Sequence, residues 1–249
     1  MKILYVSLFP EKNNCNEIEN LKYFMESATY HGIESIFRYR LFTCHKEMSK
    51  TIRAEFNCNK YSPQSLMDFE DSYIQAERLF FDLVYKSNMD ERRAHEIGWS
   101  KQKIYTFLTY RNILETFDYI FYNDADIKIE ASDIYELCKA LEIKNKEGET
   151  SFINIPYVLK INKEILDASF GSHIIPIELV KDNVDIDKLI YEQLKIDDKI
   201  ERKFAPDWIL RKILLNRGYR EIRGESCNTK HYINSVQFYE YDSRKINFN

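Results

Sequence analysis

Phe117-Asp118-Tyr119-Ile120-Phe121-Tyr122-Asn123-Asp124-Ala125-Asp126-Ile127 is the stretch from which the rest of the chain can be read. Tyr119 to Tyr122 is an unbroken run of aromatic and β-branched residues, the composition of a strand buried on both faces. Read with the strands and helices around it, the run belongs to an α/β domain. It ends in two aspartates separated by Ala125 alone. In extended backbone Asp124 and Asp126 project to one side. Two carboxylates held that close repel each other unless a proton or a cation neutralises them. A hard divalent cation is the natural partner, and Mg²⁺ commonly completes its shell with substrate phosphates. The position agrees, because ligands of open α/β sheets bind beyond the carboxyl ends of the strands. The plain alternative is a pair of turn formers closing a strand. The buried strand before the pair and the apolar-acidic helix after it favour the metal.

Upstream, Lys2–Leu8 reads as a first buried strand. Asn16–His31 places Ile18, Leu21, Phe24 and Met25 at helical spacing, with Gly32 as the stop, and Ser35–Phe42 reads as a second strand. This β-α-β opening predicts a parallel sheet with a right-handed crossover. Residues 43–63 show no period and read as a loop. Pro63 and Ser65 open a predicted helix to about Lys86, with Leu66, Phe69, Tyr73 and Leu79 facing the core, and Ser100–Thr116 is a further helix.

Downstream, Asp133–Leu141 is a predicted helix and Ser151–Leu159 a strand. Phe170-Gly171-Ser172 interrupts an apolar stretch running to Val180. Ile186–Ile196 and Pro206–Arg217 read as helices, the second with Pro at its first position and Gly218 just past its end. From Gly224 onward the chain is polar and tyrosine-rich. With no internal repeat and no Gly/Ser linker, residues 1–249 read as one domain, with 224–249 a tail folded back over it.

Composition narrows the function classes. A chain of 249 residues with 44% hydrophobic residues and few Gly (6) and Pro (5) is an ordered globular protein. The 36 basic and 40 acidic residues leave a charge of −4, without the basic footprint that nucleic-acid binding needs. An anionic substrate must then be met by local basic residues or by a cation. The five cysteines are odd in number and scattered, and none forms a CxxC pair. They indicate a reducing compartment and no structural zinc. No apolar run has the length of a membrane span. Ile3–Phe9 is too short for a secretory signal and lacks a small-residue cleavage site. The protein reads as cytoplasmic, peripheral to a membrane at most.

Residues 117–127, followed by Asp133-Ile134-Tyr135-Glu136-Leu137, resemble the DXD segment of GT-A glycosyltransferases. The likeness is greatest to the retaining families six and eight, where an aspartate-aliphatic strand leads into Asp-Ala-Asp and then an Asp-Ile-x-x-Leu helix. Gly98-Trp99 and Lys103-Ile104-Tyr105-Thr106-Phe107-Leu108 are similar to the helix that precedes this segment in family six, and Arg111-Asn112 to the Arg-Asn of the inverting family two. The resemblance covers residues 98–141 well and the remainder in order of elements. It implies the nucleotide-diphospho-sugar transferase fold, a mostly parallel central sheet with helices on both faces. It also implies a metal-dependent hexosyltransferase, with a nucleotide-diphosphate sugar as donor and a glycan or lipid-linked saccharide as acceptor. Asp124 and Asp126 would hold Mn²⁺ or Mg²⁺, which bridges the donor diphosphate.

The same resemblance assigns weaker sites, each with a plainer reading beside it. Arg111 and Lys103 would reach the diphosphate, or else form a solvated helix face; Arg suits bidentate phosphate contact. Gly171 falls in the fold's acceptor loop, where a glycine lets backbone approach a sugar, and it is also an ordinary turn residue. His173, on an apolar stretch, reads as a satisfied core histidine. Asp207 opens a helix, where the dipole favours an acid in any case. By resemblance it contacts the acceptor or acts as general base, although inverting members carry Glu-Asp where this chain has Pro206-Asp207. His231 stands where many such enzymes place a late histidine on the metal, and is otherwise a surface histidine.

A nucleotidyltransferase would carry a glycine-rich basic loop after the first strand, and here Leu8-Phe9-Pro10-Glu11-Lys12 follows. A haloacid-dehalogenase-type phosphatase carries its Asp-x-Asp near the N-terminus with Gly-Thr behind it, whereas Ile127-Lys128 follows here. A non-catalytic sugar-binding scaffold on the same fold stays open. Titration with Mn²⁺ and nucleotide sugars separates it from an enzyme.

Overall fold

The computed structural model describes residues 1–9, 15–43, 67–70, 104–105, 108, 113–157, 171–181, 206–233 and 237–241. Strand β1 (Ile3–Phe9) is buried along its whole length. It leads to helix α1 (Cys15–Tyr30), which ends at Gly32 with φ 66°, and after one 3-10 turn to β2 (Phe37–Thr43). β1 and β2 pair in parallel, as the β-α-β pattern predicts. Next in order are β3 (Met67–Glu70), β4 (Tyr119–Asn123), β5 (Ile127–Lys128), helix α2 (Ala131–Lys146) and β6 (Ser151–Asn154). The remaining elements are β7 (Ser172–Pro176), α3 (Ile177–Lys181), α4 (Pro206–Asn216), β8 (Arg220–Arg223), β9 (Thr229–Ile233) and β10 (Gln237–Tyr241).

The large sheet has the order β3-β2-β1-β4-β7-β6-β8. Every pairing in it is parallel except those of β7 with β4 and with β6. Its two faces carry two apolar layers. Ile3, Tyr5 and Phe9 of β1 pack with Leu21, Phe24 and Met25 of α1 and Ile134, Cys138 and Leu141 of α2. Leu4, Val6 and Leu8 point the other way, toward Ile104, Tyr105, Leu108 and the α4 residues Leu210, Ile213 and Leu214. This alternation is the period-two signature of a strand buried on both sides. A second sheet, β10-β9-β5, is antiparallel.

Several boundaries differ from the sequence reading. Residues 67–70, expected in a long helix, form an edge strand parallel to Tyr39–Phe42. The i, i+3 spacing of Leu66 and Phe69 fits a helix, but so short an apolar run is equally compatible with a strand; the rest of that expected helix lies outside the described residues. Residues Ile113–Thr116, expected to close a helix over Ser100–Thr116, form a 3-10 turn instead. Helix α2 extends past Leu141, its last buried residue, by a polar turn held by Lys146 on Glu142 at 2.7 Å. Strand β6 stops at Asn154, just before Pro156, which has no N–H to give to a ladder. The expected helix Ile186–Ile196 lies outside the described residues. Among the described residues no helix is long and apolar enough to cross a membrane.

Candidate active site

β4 carries the acidic pair to the carboxyl edge of the parallel strands, but not in extended backbone. Ile127 N–H donates to the Asp124 carbonyl at 2.9 Å, so Asp124 to Ile127 is a tight turn. That corrects the extended backbone expected for the pair: a turn carries the two aspartates, with buried Ala125 between.

The turn is braced from within and from afar. Asn123 Nδ2 donates to the Ile127 carbonyl at 2.9 Å and to the Tyr5 hydroxyl at 3.3 Å, while Asn123 Oδ1 accepts from the Ser172 hydroxyl at 2.6 Å. Ser7 Oγ donates to the Asn123 carbonyl at 2.7 Å, and Asn20 Nδ2, from α1, to the Ala125 carbonyl at 2.9 Å. Asp124 N–H donates to the Gly171 carbonyl at 2.9 Å, tying the turn to the start of β7.

Each carboxylate faces a different neighbour. Asp126 Oδ2 lies 3.2 Å from His231 Nε2, which β9 delivers because His231 pairs with Ile127 in the small sheet. His231 is 9% exposed and Asp126 38%, so the pair opens to solvent on the aspartate side. Asp124 Oδ2 lies against Gly171, with the Tyr157 hydroxyl against the same glycine. The Tyr157 ring meets His231 edge-on, centroids 4.9 Å apart, which closes the group.

Beneath the site runs an aromatic stack. His173 lies flat on Tyr122, centroids 5.3 Å apart, and its Nε2 is paired with the Tyr105 hydroxyl. His173 is therefore a core histidine, in keeping with its apolar surroundings. Burial pushes the Tyr105 phenol well up, and the charge of Asp124 adds to the effect. Burial likewise pushes Tyr5 up to about 12, against the hydrogen bonds from Asn123 and Ser7, with Asp124 again adding. Both phenols stay neutral donors and acceptors under an acidic site.

The structure thus brings together Asp124, Asp126, Gly171 and His231. Lys103 and Arg111 lie outside the described residues. Asp207 is described by its backbone place alone, second in α4. Through Gly218, with φ 82°, α4 turns into β8, which runs parallel to β6. A helix returning this way has its N-terminus at the carboxyl edge of the sheet, so Asp207 stands at the edge that carries Asp124. Asn20, Asn123, Tyr157 and Ser172 were not singled out as site residues by the sequence reading. Asn123, a polar residue closing a buried strand, and Ser172, in the break of an apolar stretch, had a local signal.

By sequence the chain matches no family model and no curated protein. Solved structures are similar in shape. A glycosyltransferase involved in the glycosylation of the major capsid of PBCV-1 has a TM-score of 0.43 at 11% identity, over 90% of this chain and 81% of that one, a score too low to weigh. Core-mannan synthase A of Aspergillus fumigatus, in its Mn/GDP form, reaches a TM-score of 0.54 at 9% identity, over 98% of this chain and 83% of that one.

This is the GT-A fold.

In this GT-A chain the Asp124–Ile127 turn is the crossing from large sheet to small, which is how Asp126 meets a histidine 105 positions away. Among the described residues no three His, Cys, Asp or Glu side chains gather closely enough to cage a metal. The Asp126–His231 pair nevertheless fits two ligands of one ion. Adjacent ligands of an octahedral cation at its usual bond lengths lie about 3 Å apart, close to the 3.2 Å here. An imidazole nitrogen beside a carboxylate suits Mn²⁺ better than Mg²⁺, which prefers an all-oxygen shell.

Proposed function

We propose that the protein is a glycosyltransferase that moves a sugar from a nucleotide-diphosphate donor to a hydroxyl of a saccharide acceptor. The observation that carries this reading is the Asp126–His231 pair, set beside Asp124 where the two sheets of a GT-A fold meet. Asp126 and His231 would hold Mn²⁺, with Asp124 and the donor diphosphate completing the shell. A bound Mn²⁺ would neutralise the charge that develops on the departing diphosphate.

The chain's own residues supply the rest. The braced turn holds Asp124 and Asp126 in place before substrate arrives, so little reorganisation is left for the moment of reaction. Arg111 and Lys103 would meet the diphosphate, and Gly171 leaves room for the Asp124 carboxylate and the Tyr157 phenol. Asp207, at the N-terminus of α4, would orient the acceptor hydroxyl or take its proton.

The test is a donor-hydrolysis screen with Mn²⁺ over UDP-, GDP- and other nucleotide sugars. GDP-sugars come first, because the mannan synthase of the same fold is a Mn/GDP form. Metal-dependent release of nucleoside diphosphate from at least one donor is the expected result. A chain that binds neither Mn²⁺ nor any nucleotide sugar would instead be a scaffold.

A further inference from the structure

We propose that Tyr157 is the positioning residue of this site, holding Asp124 and His231 in one arrangement, and that Gly171 lacks a side chain to make room for it. The inference rests on the reading of Asp124, Asp126 and His231 as the cation-binding group.

Tyr157 follows β6, and its stretch of backbone is fastened on two sides. Ile155 N–H donates to the Ser172 carbonyl at 2.9 Å, and the Thr229 hydroxyl donates to the Pro156 carbonyl at 3.0 Å. One bond ties it to β7, which starts beside Asp124; the other ties it to β9, which carries His231. The side chain completes the link. Its ring stands edge-on to the His231 imidazole at 4.9 Å, inclined by 65°. Its hydroxyl lies 2.7 Å, and its Cε1 2.9 Å, from where a Cβ on Gly171 would sit, and Asp124 Oδ2 is closer still to that point. Real Cβ atoms do not approach other atoms so closely. Any side chain at position 171 must push the phenol, the carboxylate, or both. Tyr157 itself is buried, 6% exposed.

A metal site is set as much by the groups that orient its ligands as by the ligands, and losing such a group typically weakens metal affinity 10–100-fold. Tyr157 is placed to act on two ligands at once, the imidazole through its ring and the carboxylate by sharing with it the space over Gly171.

The experiment is calorimetric titration of the full chain with Mn²⁺ alone, on wild type, Tyr157→Phe, Asp124→Asn, the double variant and Gly171→Ala, with circular dichroism and thermal unfolding on each. Tyr157→Phe removes the hydroxyl and keeps the ring. It is expected to weaken Mn²⁺ binding by about tenfold or more, at an unchanged far-ultraviolet spectrum. Because the hydroxyl and the Asp124 carboxylate meet over Gly171, Tyr157→Phe should weaken the Mn²⁺ binding left in the Asp124→Asn background by less than it weakens wild type, whereas general loosening of the fold would cost the same factor in both. Gly171→Ala should weaken binding as Tyr157→Phe does. If wild type binds Mn²⁺ and Tyr157→Phe binds it equally well, or if the two losses simply add, the positioning role is wrong and the reading of the site survives. If wild type binds no Mn²⁺, the reading of the site falls, and this inference with it.

Discussion

Asn123 uses both ends of its amide on groups that water cannot reach: the Ile127 carbonyl and Tyr5 hydroxyl accept from it, and the Ser172 hydroxyl donates to it. Asn123→Ala would strand the Ile127 carbonyl and the Ser172 hydroxyl, each at about 1–3 kcal/mol when buried without a partner. A loss of roughly 2–4 kcal/mol in urea unfolding is therefore expected, and a loss below about half a kcal/mol would show that the brace carries no load. Asp124→Asn and Asp126→Asn should behave in the opposite way. Both side chains are half-exposed, so the unfolding midpoint should barely move, while transfer is lost and chelator reproduces the loss in wild type. Full activity of both variants in chelator would end the metal reading. The acidic pair was legible because its spacing and the strand before it are local in sequence. Its bracing was not: Asn20 lies 105 positions from Ala125, and Ser172 lies 49 from Asn123. Such contacts exist only once the sheet has set its register.

Beside its apolar face of Leu210, Ile213 and Leu214, helix α4 makes a composite polar contact with the sheet. Arg211 grips Glu221 of β8 with two parallel bonds of 2.6 and 2.5 Å, and Asn154 of β6 donates to the same carboxylate at 3.0 Å. Both charged partners are about four-fifths covered, so this bidentate pair is little screened. Because it fixes α4 on the sheet, it also fixes where Asp207 stands. Glu221→Gln should cost about 1.5–3 kcal/mol of stability and raise KM for the acceptor more than it lowers kcat; an unchanged acceptor KM would detach α4 from acceptor binding. Asp207 itself separates two chemistries. As the general base of an inverting reaction, Asp207→Asn should cost a factor on the order of 10²–10⁴ in turnover. In a retaining reaction the leaving diphosphate takes the proton, and the substitution should weaken acceptor binding more than it slows the chemistry. The resemblance of residues 117–137 to retaining families sets the expectation at retention, and proton NMR of the product anomer decides it. The elements around the candidate site were readable because α4 and α1 have long apolar patterns with clear stops at Gly218 and Gly32. Residues 67–70 were misread because four residues hold too little pattern to tell strand from helix.

At the scale of the molecule, the candidate site lies on the seam between two sheets, and that seam is thin. The small sheet reaches the acidic turn through β5, two residues long, paired with Lys230 and His231 of β9. A ligand held by Asp126 on one side and His231 on the other would span the seam and stitch β9 to the turn. Its binding should then be felt beyond the residues it touches. A ligand at a hundred times its Kd stabilises the folded chain by about 2.7 kcal/mol. For a domain of this size each kcal/mol raises Tm by about 2–4 °C, so Mn²⁺ with GDP at that excess should raise it by roughly 5–10 °C. The rise should need both components if, as proposed, the diphosphate and the two protein ligands share one cation. Hydrogen exchange then locates the effect. Amides of Ile127, Lys128, Lys230 and His231 should exchange more slowly with Mn²⁺ and GDP, while strands at the far edge of the large sheet, around Phe37–Thr43, change no more than the global stabilisation requires. Asp126→Asn should abolish the local slowing. If Mn²⁺ and GDP raise Tm but leave β5 and β9 exchanging as before, the nucleotide is held elsewhere on the sheet edge, and His231 is a partner of Asp126 without being a ligand.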